Sequence, residues 1–225
     1  MVGVNQNIPK PDAVFFDWDG TLVDTLPGLF KAHNHVRNHF DLEPWTEEIF
    51  HHHMRNSSRE LYPTIYGDRV EEAFSVLRKF MSDNLETFLK PLDNAENLLI
   101  MLQSKNMPVG IVSNKRHEIL LNEINHLGWG HYIAVTVGAG YAEKDKPSGV
   151  PILKALSEID MDPQRHAVWF VGDTETDMLA AKDAACLPVL VVHGQDRQEL
   201  IDKHNPVHVS QDCASLEQIL SDIII

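Results

Sequence analysis

Short apolar runs alternate with helical stripes along most of the chain. Ala13-Val14-Phe15-Phe16, Val109 to Val112, Ile133 to Val137, Ala167 to Val171 and Pro188 to Val192 are each apolar without polar alternation. That pattern predicts strands buried on both faces. Between them, Ala95, Leu98, Leu99 and Leu102 recur at i, i+3, i+4 and i+7, which predicts an amphipathic helix. Glu118 to Leu127, Val150 to Ile159 and Thr176 to Ala185 continue the helical series. A weak last strand, Val207 to Val209, and a helix from Ala214 to Leu220 complete it. Such alternation predicts an α/β fold, a doubly wound parallel sheet of Rossmann-like type.

Residues 25–90 interrupt the alternation. They hold no convincing strand and no glycine-rich linker. Their periodicity predicts helices over Leu26 to Phe40, Glu47 to Met54, Arg59 to Tyr66 and Val70 to Leu89. So large a block after the first strand is an inserted α-helical unit rather than a crossover. Pro91 marks the return to the sheet. The expected organisation is a core of residues 1–24 and 91–225 with a helical insert over residues 25–90.

Charge narrows the partners. Lys plus Arg number 19 against 33 Asp plus Glu, a net charge of −14. This disfavours a nucleic-acid binder, which needs a basic surface, and an anionic membrane as partner. It leaves open a small phosphorylated molecule, because local cations override the net field. Cys186 and Cys213 cannot build a disulfide framework. The first residues carry no apolar signal core, and no apolar run approaches the roughly 20 residues of a membrane span. A cytoplasmic location is the expectation. His51, His52 and His53 point in different directions on a helix and read as surface or cap histidines.

Chemistry concentrates at strand ends. In Asp17-Trp18-Asp19-Gly20-Thr21-Leu22-Val23-Asp24-Thr25, side chains alternate, so Asp17 and Asp19 project together and Trp18 opposite. Gly172-Asp173-Thr174-Glu175-Thr176-Asp177 follows a later strand and opens a helix, with Asp173 and Asp177 four apart. Either cluster alone reads as turn or helix-cap chemistry. Together, carboxylates from two strand ends suit a hard divalent cation, Mg²⁺ in particular. Ser113-Asn114 ends the strand from Val109, where a hydroxyl and an amide can bind phosphate oxygens. Lys146-Pro147 offers a point charge to an anion, with Lys144 as a rival.

The ordered set Asp17-x-Asp19-Gly20-Thr21, Ser113-Asn114-Lys115, Lys146-Pro147 and Gly172-Asp173-x3-Asp177 resembles the four motifs of the haloacid dehalogenase superfamily of phosphohydrolases. The strings FFDWDGTLVDT, VGIVSNK and VGDTETDMLAA are most similar to its phosphoglycolate phosphatase branch. The match covers residues 13–25 and 91–192, and the insert sits where that branch carries its cap. Two departures stand out: Gly149 where the branch often has a second proline, and Trp18 where leucine is commoner. Trp18 is expected to pack rather than to take part in chemistry.

The resemblance implies a Mg²⁺-dependent, two-step phosphoryl transfer. Asp17 is the implied nucleophile and Asp19 the implied general acid, then base. The implied metal ligands are Asp17, the Asp19 backbone carbonyl, Asp173 and Asp177. Ser113, Asn114 and Lys146, with backbone N–H groups after Asp19, are expected on the phosphoryl oxygens, and Thr21 is expected to orient Asp19 or its loop. Arg55 and Arg59 of the insert, with Asn56, are candidates for a distal carboxylate, because guanidinium pairs with it bidentately. A phosphosugar phosphatase or mutase shares these motifs, and a non-catalytic binding protein on the same fold is the alternative from another class.

Overall fold

A computed structural model describes residues 8–54 and 57–224. Arg55 and Asn56 lie outside the described residues. The strands are β1 (Ala13–Phe16), β2 (Val23–Asp24), β3 (Lys90–Pro91), β4 (Val109–Arg116), β5 (Val135–Ala139), β6 (Val168–Gly172), β7 (Leu187–Val191) and β8 (His208–Ser210). The helices of the insert are α1 (Leu26–His39), α2 (Glu47–His53), α3 (Ser58–Tyr66), α4 (Val70–Asp83) and α5 (Leu85–Phe88). Those flanking the sheet are α6 (Ala95–Ser104), α7 (His117–Leu127), α8 (Val150–Glu158), α9 (Glu175–Asp183), α10 (Gln198–His204) and α11 (Cys213–Ile223).

Six strands form one sheet in the order β5-β4-β1-β6-β7-β8, and every pairing is parallel. β1 lies between β4 and β6, so the winding reverses there, and the carboxyl ends of these three strands border one crevice. All four β1 residues are fully buried. Val14 and Phe16 face a core shared with Leu98, Leu102 and Leu216, while Ala13 and Phe15 face one shared with Ile152 and Ala181. This two-sided covering explains the unbroken apolar run.

The remaining two strands form a ribbon at the base of the insert. Val23 pairs with Pro91 and Asp24 with Lys90, antiparallel, so the chain leaves and rejoins the sheet unit side by side. The helices between have a core of their own, built on Val36, Tyr62, Phe74, Leu77 and Met81. The helix expected over Val70 to Leu89 breaks at Asn84, whose side-chain amide donates to the Phe80 carbonyl at 2.9 Å and competes with the helical ladder. The strand from Val109 runs on to Arg116 through a register shift, which carries Ser113, Asn114 and Lys115 on the strand itself.

His33 is buried at the centre of the insert. It stacks on Trp45, with ring centroids 5.5 Å apart, and the Tyr62 hydroxyl donates to its Nδ1 at 3.0 Å. Burial, then the nearby His53, pushes its pKa down to about 3. A group held neutral in the fold but basic when unfolded binds more protons in the unfolded state between the two pKa values. Stability should therefore fall as pH drops from about 6.5 towards 3, by at most about 3 kcal/mol between pH 7 and 4.5. The check is the thermal midpoint of wild type and His33→Gln across that range. The variant should lose less on acidification, and parallel curves would refute the assignment.

Candidate active site

The turn after β1 is tightly determined. The N–H groups of Thr21, Leu22 and Val23 all point to the Trp18 carbonyl at 3.0–3.3 Å, and the Gly20 N–H donates to Val23 at 2.8 Å. The backbone N–H groups expected to assist phosphate binding are thus spent inside the turn from Gly20 to Val23. Gly20 has φ +80°, and a Cβ there would lie 2.8 Å from Asp173 Oδ2. Only glycine lets the β1 turn pass this close to the β6 end.

Three carboxylates meet across that approach. Asp17, Asp173 and Asp177 are buried and present oxygens within 4.8 Å of one another. Lys146 stands beside them, 2% exposed, with Nζ 2.7 Å from Asp17 Oδ1 and 2.7 Å from Asp177 Oδ1. The contact to Asp177 is an aligned hydrogen bond, whereas Asp17 Oδ1 is a buried oxygen without an aligned donor. Burial raises Asp17 to about 7 despite the counteracting charge of Lys146, and burial followed by Asp177 and Asp17 raises Asp173 to about 8. An orphaned oxygen and two carboxylates resisting ionisation form an all-oxygen set that fits a hard divalent cation.

Asp177 combines cap and site. Its Oδ2 accepts from the Thr174 N–H at 3.0 Å and hydroxyl at 2.5 Å, closing a capping box at the start of α9, while its Oδ1 takes Lys146. Lys146 is itself bracketed: Asn114 Oδ1 accepts its N–H and Asn114 Nδ2 donates to its carbonyl, both at 2.9 Å. Asn114 thereby places Lys146 through both ends of its amide. Lys144 is exposed. Ser113 is buried, and its hydroxyl accepts the Lys115 N–H at 3.1 Å.

Thr21 is also corrected. It is buried and donates to Asp173 Oδ1 at 3.3 Å, so it steadies the β6 end and not Asp19. The hydroxyl on Asp19 belongs to Thr25, which donates to Oδ1. Lys115 Nζ donates to the same oxygen at 2.6 Å. Both donors fall on Oδ1, and neither bond uses Oδ2. Trp18 packs as expected, edge-on to Trp129 at 5.7 Å, but its indole N–H also donates to Glu123 at 2.7 Å. Gly149 has a packing reason: a Cβ there would lie 2.4 Å from the Ala184 nitrogen.

The insert lies over this site and forms with it a partly open cavity of about 770 Å³. Leu29, Met54 and Leu77 line the insert side, and Asp17, Lys115 and Arg116 line the sheet side. Arg59 reaches past the cavity to the loop before Lys146, donating to the Ala142 carbonyl at 3.0 Å and standing 3.6 Å from Asp145. The Ser57 hydroxyl donates to Asp145 at 2.5 Å. These residues fasten the insert to the loop, and the contacts of Arg59 are to that loop rather than to the cavity.

This chain belongs to the haloacid dehalogenase-like hydrolases, whose sequence profile matches residues 14–191. The phosphoglycolate phosphatase of Neisseria meningitidis is 27% identical, over 98% of this chain and 97% of that protein. The N-acetylmuramic acid 6-phosphate phosphatase of Pseudomonas aeruginosa is 26% identical, over 89% of this chain and 88% of that protein. The fold is shared with the crystal structure of a predicted phosphoglycolate phosphatase from Haemophilus somnus, with TM-score 0.80 and 21% identity over 95% and 99% of the two chains. No helix among the described residues is long and apolar enough to cross a membrane.

Two outcomes follow from the geometry. Binding of a divalent cation must displace the protons that Asp17 and Asp173 hold up to about pH 7 and 8. The gain in thermal midpoint on adding Mg²⁺ should therefore grow from pH 6 to pH 8, and a gain independent of pH would contradict the assignment. Separately, Ser57→Ala removes a buried bond of about 1 kcal/mol, roughly fivefold in the closed population. It should lower kcat/KM for phosphoglycolate and 4-nitrophenyl phosphate alike, as should Arg59→Ala to a smaller extent. Selective loss of phosphoglycolate turnover would return Arg59 to an anion-reading role.

Proposed function

We propose that this protein is a Mg²⁺-dependent phosphatase acting on a small phosphate monoester through a phosphorylated Asp17. The observation that carries the reading is the convergence of Asp17, Asp173, Asp177 and Lys146 at the strand ends beneath a covered cavity. Asp17, Asp173 and Asp177 would hold the metal, with the Asp19 backbone carbonyl as the family resemblance implies. Mg²⁺ bound there would screen the charge of Asp17 from that of the phosphate and lower the barrier to in-line displacement.

The chain's own groups do the rest. An Asp17 carboxylate oxygen attacks phosphorus, and the bond from phosphorus to the leaving oxygen breaks. Asp19 Oδ2 gives its proton to that oxygen, so the alcohol departs neutral. A water then attacks the same phosphorus, its proton passes to Asp19, and Asp17 leaves as a carboxylate. Lys146 and the Ser113 hydroxyl serve the phosphoryl oxygens. The insert, latched through Ser57, Arg59 and Asp145, keeps bulk water from the acyl phosphate.

Phosphoglycolate is the substrate that the resemblance suggests, with Arg116 as the cation for its carboxylate. Arg116 lines the cavity, and its guanidinium sits 4.0 Å over the Phe74 ring of the insert. The cavity volume favours a second reading. About 770 Å³ falls within the 300–1,000 Å³ range of drug-sized ligands, ample for the leaving group of a sugar phosphate.

Asp17→Asn should abolish turnover, by at least about a thousandfold, while leaving the thermal midpoint nearly unchanged, because the amide is isosteric but not a nucleophile. Appreciable turnover in the variant, or full activity of wild type in excess chelator, would refute the mechanism. A kcat/KM ranking of phosphoglycolate against sugar phosphates and nucleotides separates the two substrate readings.

A further inference from the structure

The stripe that α7 turns to the sheet is Ile119, Leu120, Glu123 and Ile124, and all four are buried. A carboxylate stands in the middle of that otherwise apolar face. Glu123 is 0% exposed. Its Oε2 accepts from Lys115 Nζ at 2.6 Å and from Trp18 Nε1 at 2.7 Å, while Oε1 is buried without a partner. Lys115 in turn donates to Asp19 Oδ1 at 2.6 Å. The chain of bonds closes on itself through the Trp18–Asp19 peptide: Trp18 to Glu123, Glu123 to Lys115, Lys115 to Asp19.

Stability alone does not explain this arrangement. A buried ion pair gains little over a packed apolar pair, and an unpartnered carboxylate oxygen adds a penalty. What the ring does supply is a fixed direction. An ammonium on a four-carbon stem is a loose anchor by itself. Glu123 holds Lys115 from behind, and the indole N–H holds Glu123 in one rotamer. Asp19 Oδ1 is thereby kept on Lys115 and Thr25, which fixes the carboxylate of a residue that lines the cavity.

We propose that Glu123, anchored by Trp18, is a positioning residue that acts through Lys115 to aim Asp19 at the leaving-group oxygen. The proposal rests on the reading of Asp19 as the proton donor. It also gives Trp18 a part in the reaction: a leucine there would fill space but leave Glu123 without its second donor.

The experiment compares Asp19→Asn, Glu123→Gln and Trp18→Phe on an aryl ester, 4-nitrophenyl phosphate, and on the alkyl esters phosphoglycolate and glucose 6-phosphate. Alkyl leaving groups need protonation, whereas 4-nitrophenolate departs readily without it. Asp19→Asn should slow the alkyl esters about a hundredfold or more beyond the aryl ester. Glu123→Gln keeps the shape but removes the charge behind Lys115. It should lower kcat for the alkyl esters about tenfold, lower kcat for the aryl ester less than about threefold, and leave KM within about twofold. Trp18→Phe keeps an aromatic ring at the position but loses the indole N–H and some buried ring volume; a smaller loss of the same selectivity is expected, and a lowered thermal midpoint alone should slow both ester types alike. If Asp19→Asn shows no leaving-group selectivity, the proton-donor reading itself fails. If Asp19→Asn is selective but Glu123→Gln and Trp18→Phe slow both ester types equally, the positioning proposal fails while that reading stands.

Discussion

One buried ammonium decides the architecture of the site. Asp17, Asp173 and Asp177 come from the ends of two neighbouring strands and would repel one another if all were ionised. Lys146 lies between Asp17 and Asp177, at 2.7 Å from each, and is raised in pKa by both despite its burial. Arg197 adds a second cation, 3.5 Å from Asp173 Oδ2, so two positive charges face three carboxylates. That imbalance fits the proposed divalent ion and makes the placement of Lys146 critical. The protein meets the requirement by gripping the Lys146 backbone from both sides with Asn114, a residue of the adjacent strand end. The same loop carries Asp145, on which the helical insert is latched. The charge that would meet the phosphate and the fastening of the cover are thus consecutive residues, so a shift of the loop is felt at both.

The fold places these groups with little freedom. β1 is hydrogen-bonded on both sides, in register with β4 and β6, and the Asp17 N–H donates to the Val171 carbonyl at 2.9 Å. Its backbone is therefore fixed against the β6 end. The following turn converges three N–H groups on the Trp18 carbonyl, and Gly20 allows it to approach Asp173. This compactness spends the N–H groups of Gly20, Thr21, Leu22 and Val23 inside the turn. It also explains why so many polar side chains here bond to one another.

What was legible in the chain divides by the range of the interaction. β1 was legible to the residue, because an apolar run buried on both faces ends abruptly at Asp17. The strands from β4 to β8 match expectation to within four residues at each end, as apolar runs mark burial and not the last ladder bond, and the two-residue strands β2 and β3 carry no apolar run to reveal them. Asp17, Asp173, Asp177 and Lys146 were legible because charge at a strand end has few bland explanations once several recur. Thr21 and Thr25 were not separable: both hydroxyls follow the acidic pair, and only the tight turn sends one to Asp173 and the other to Asp19. The contact of Arg59 was hidden in the same way, since Asp145 lies 86 residues away in sequence. The split at Asn84 was visible in principle, as asparagine competes for helical carbonyls.

Glu123 shows where the signal lay and why it was missed. A glutamate on the apolar stripe of a helix is a local contradiction, detectable from the period alone. Trp18, an indole in the place of a small aliphatic side chain, is a second. Neither means much by itself, because a buried carboxylate needs donors and a buried indole N–H needs an acceptor, and sequence spacing does not pair them. The structure pairs them at 2.7 Å across 105 residues, with Lys115 completing the contact. Local rules were broken twice, and the two breaches satisfy each other. In a chain that otherwise follows its hydrophobic pattern closely, polar groups that answer one another in the core mark the place where geometry has been put ahead of packing.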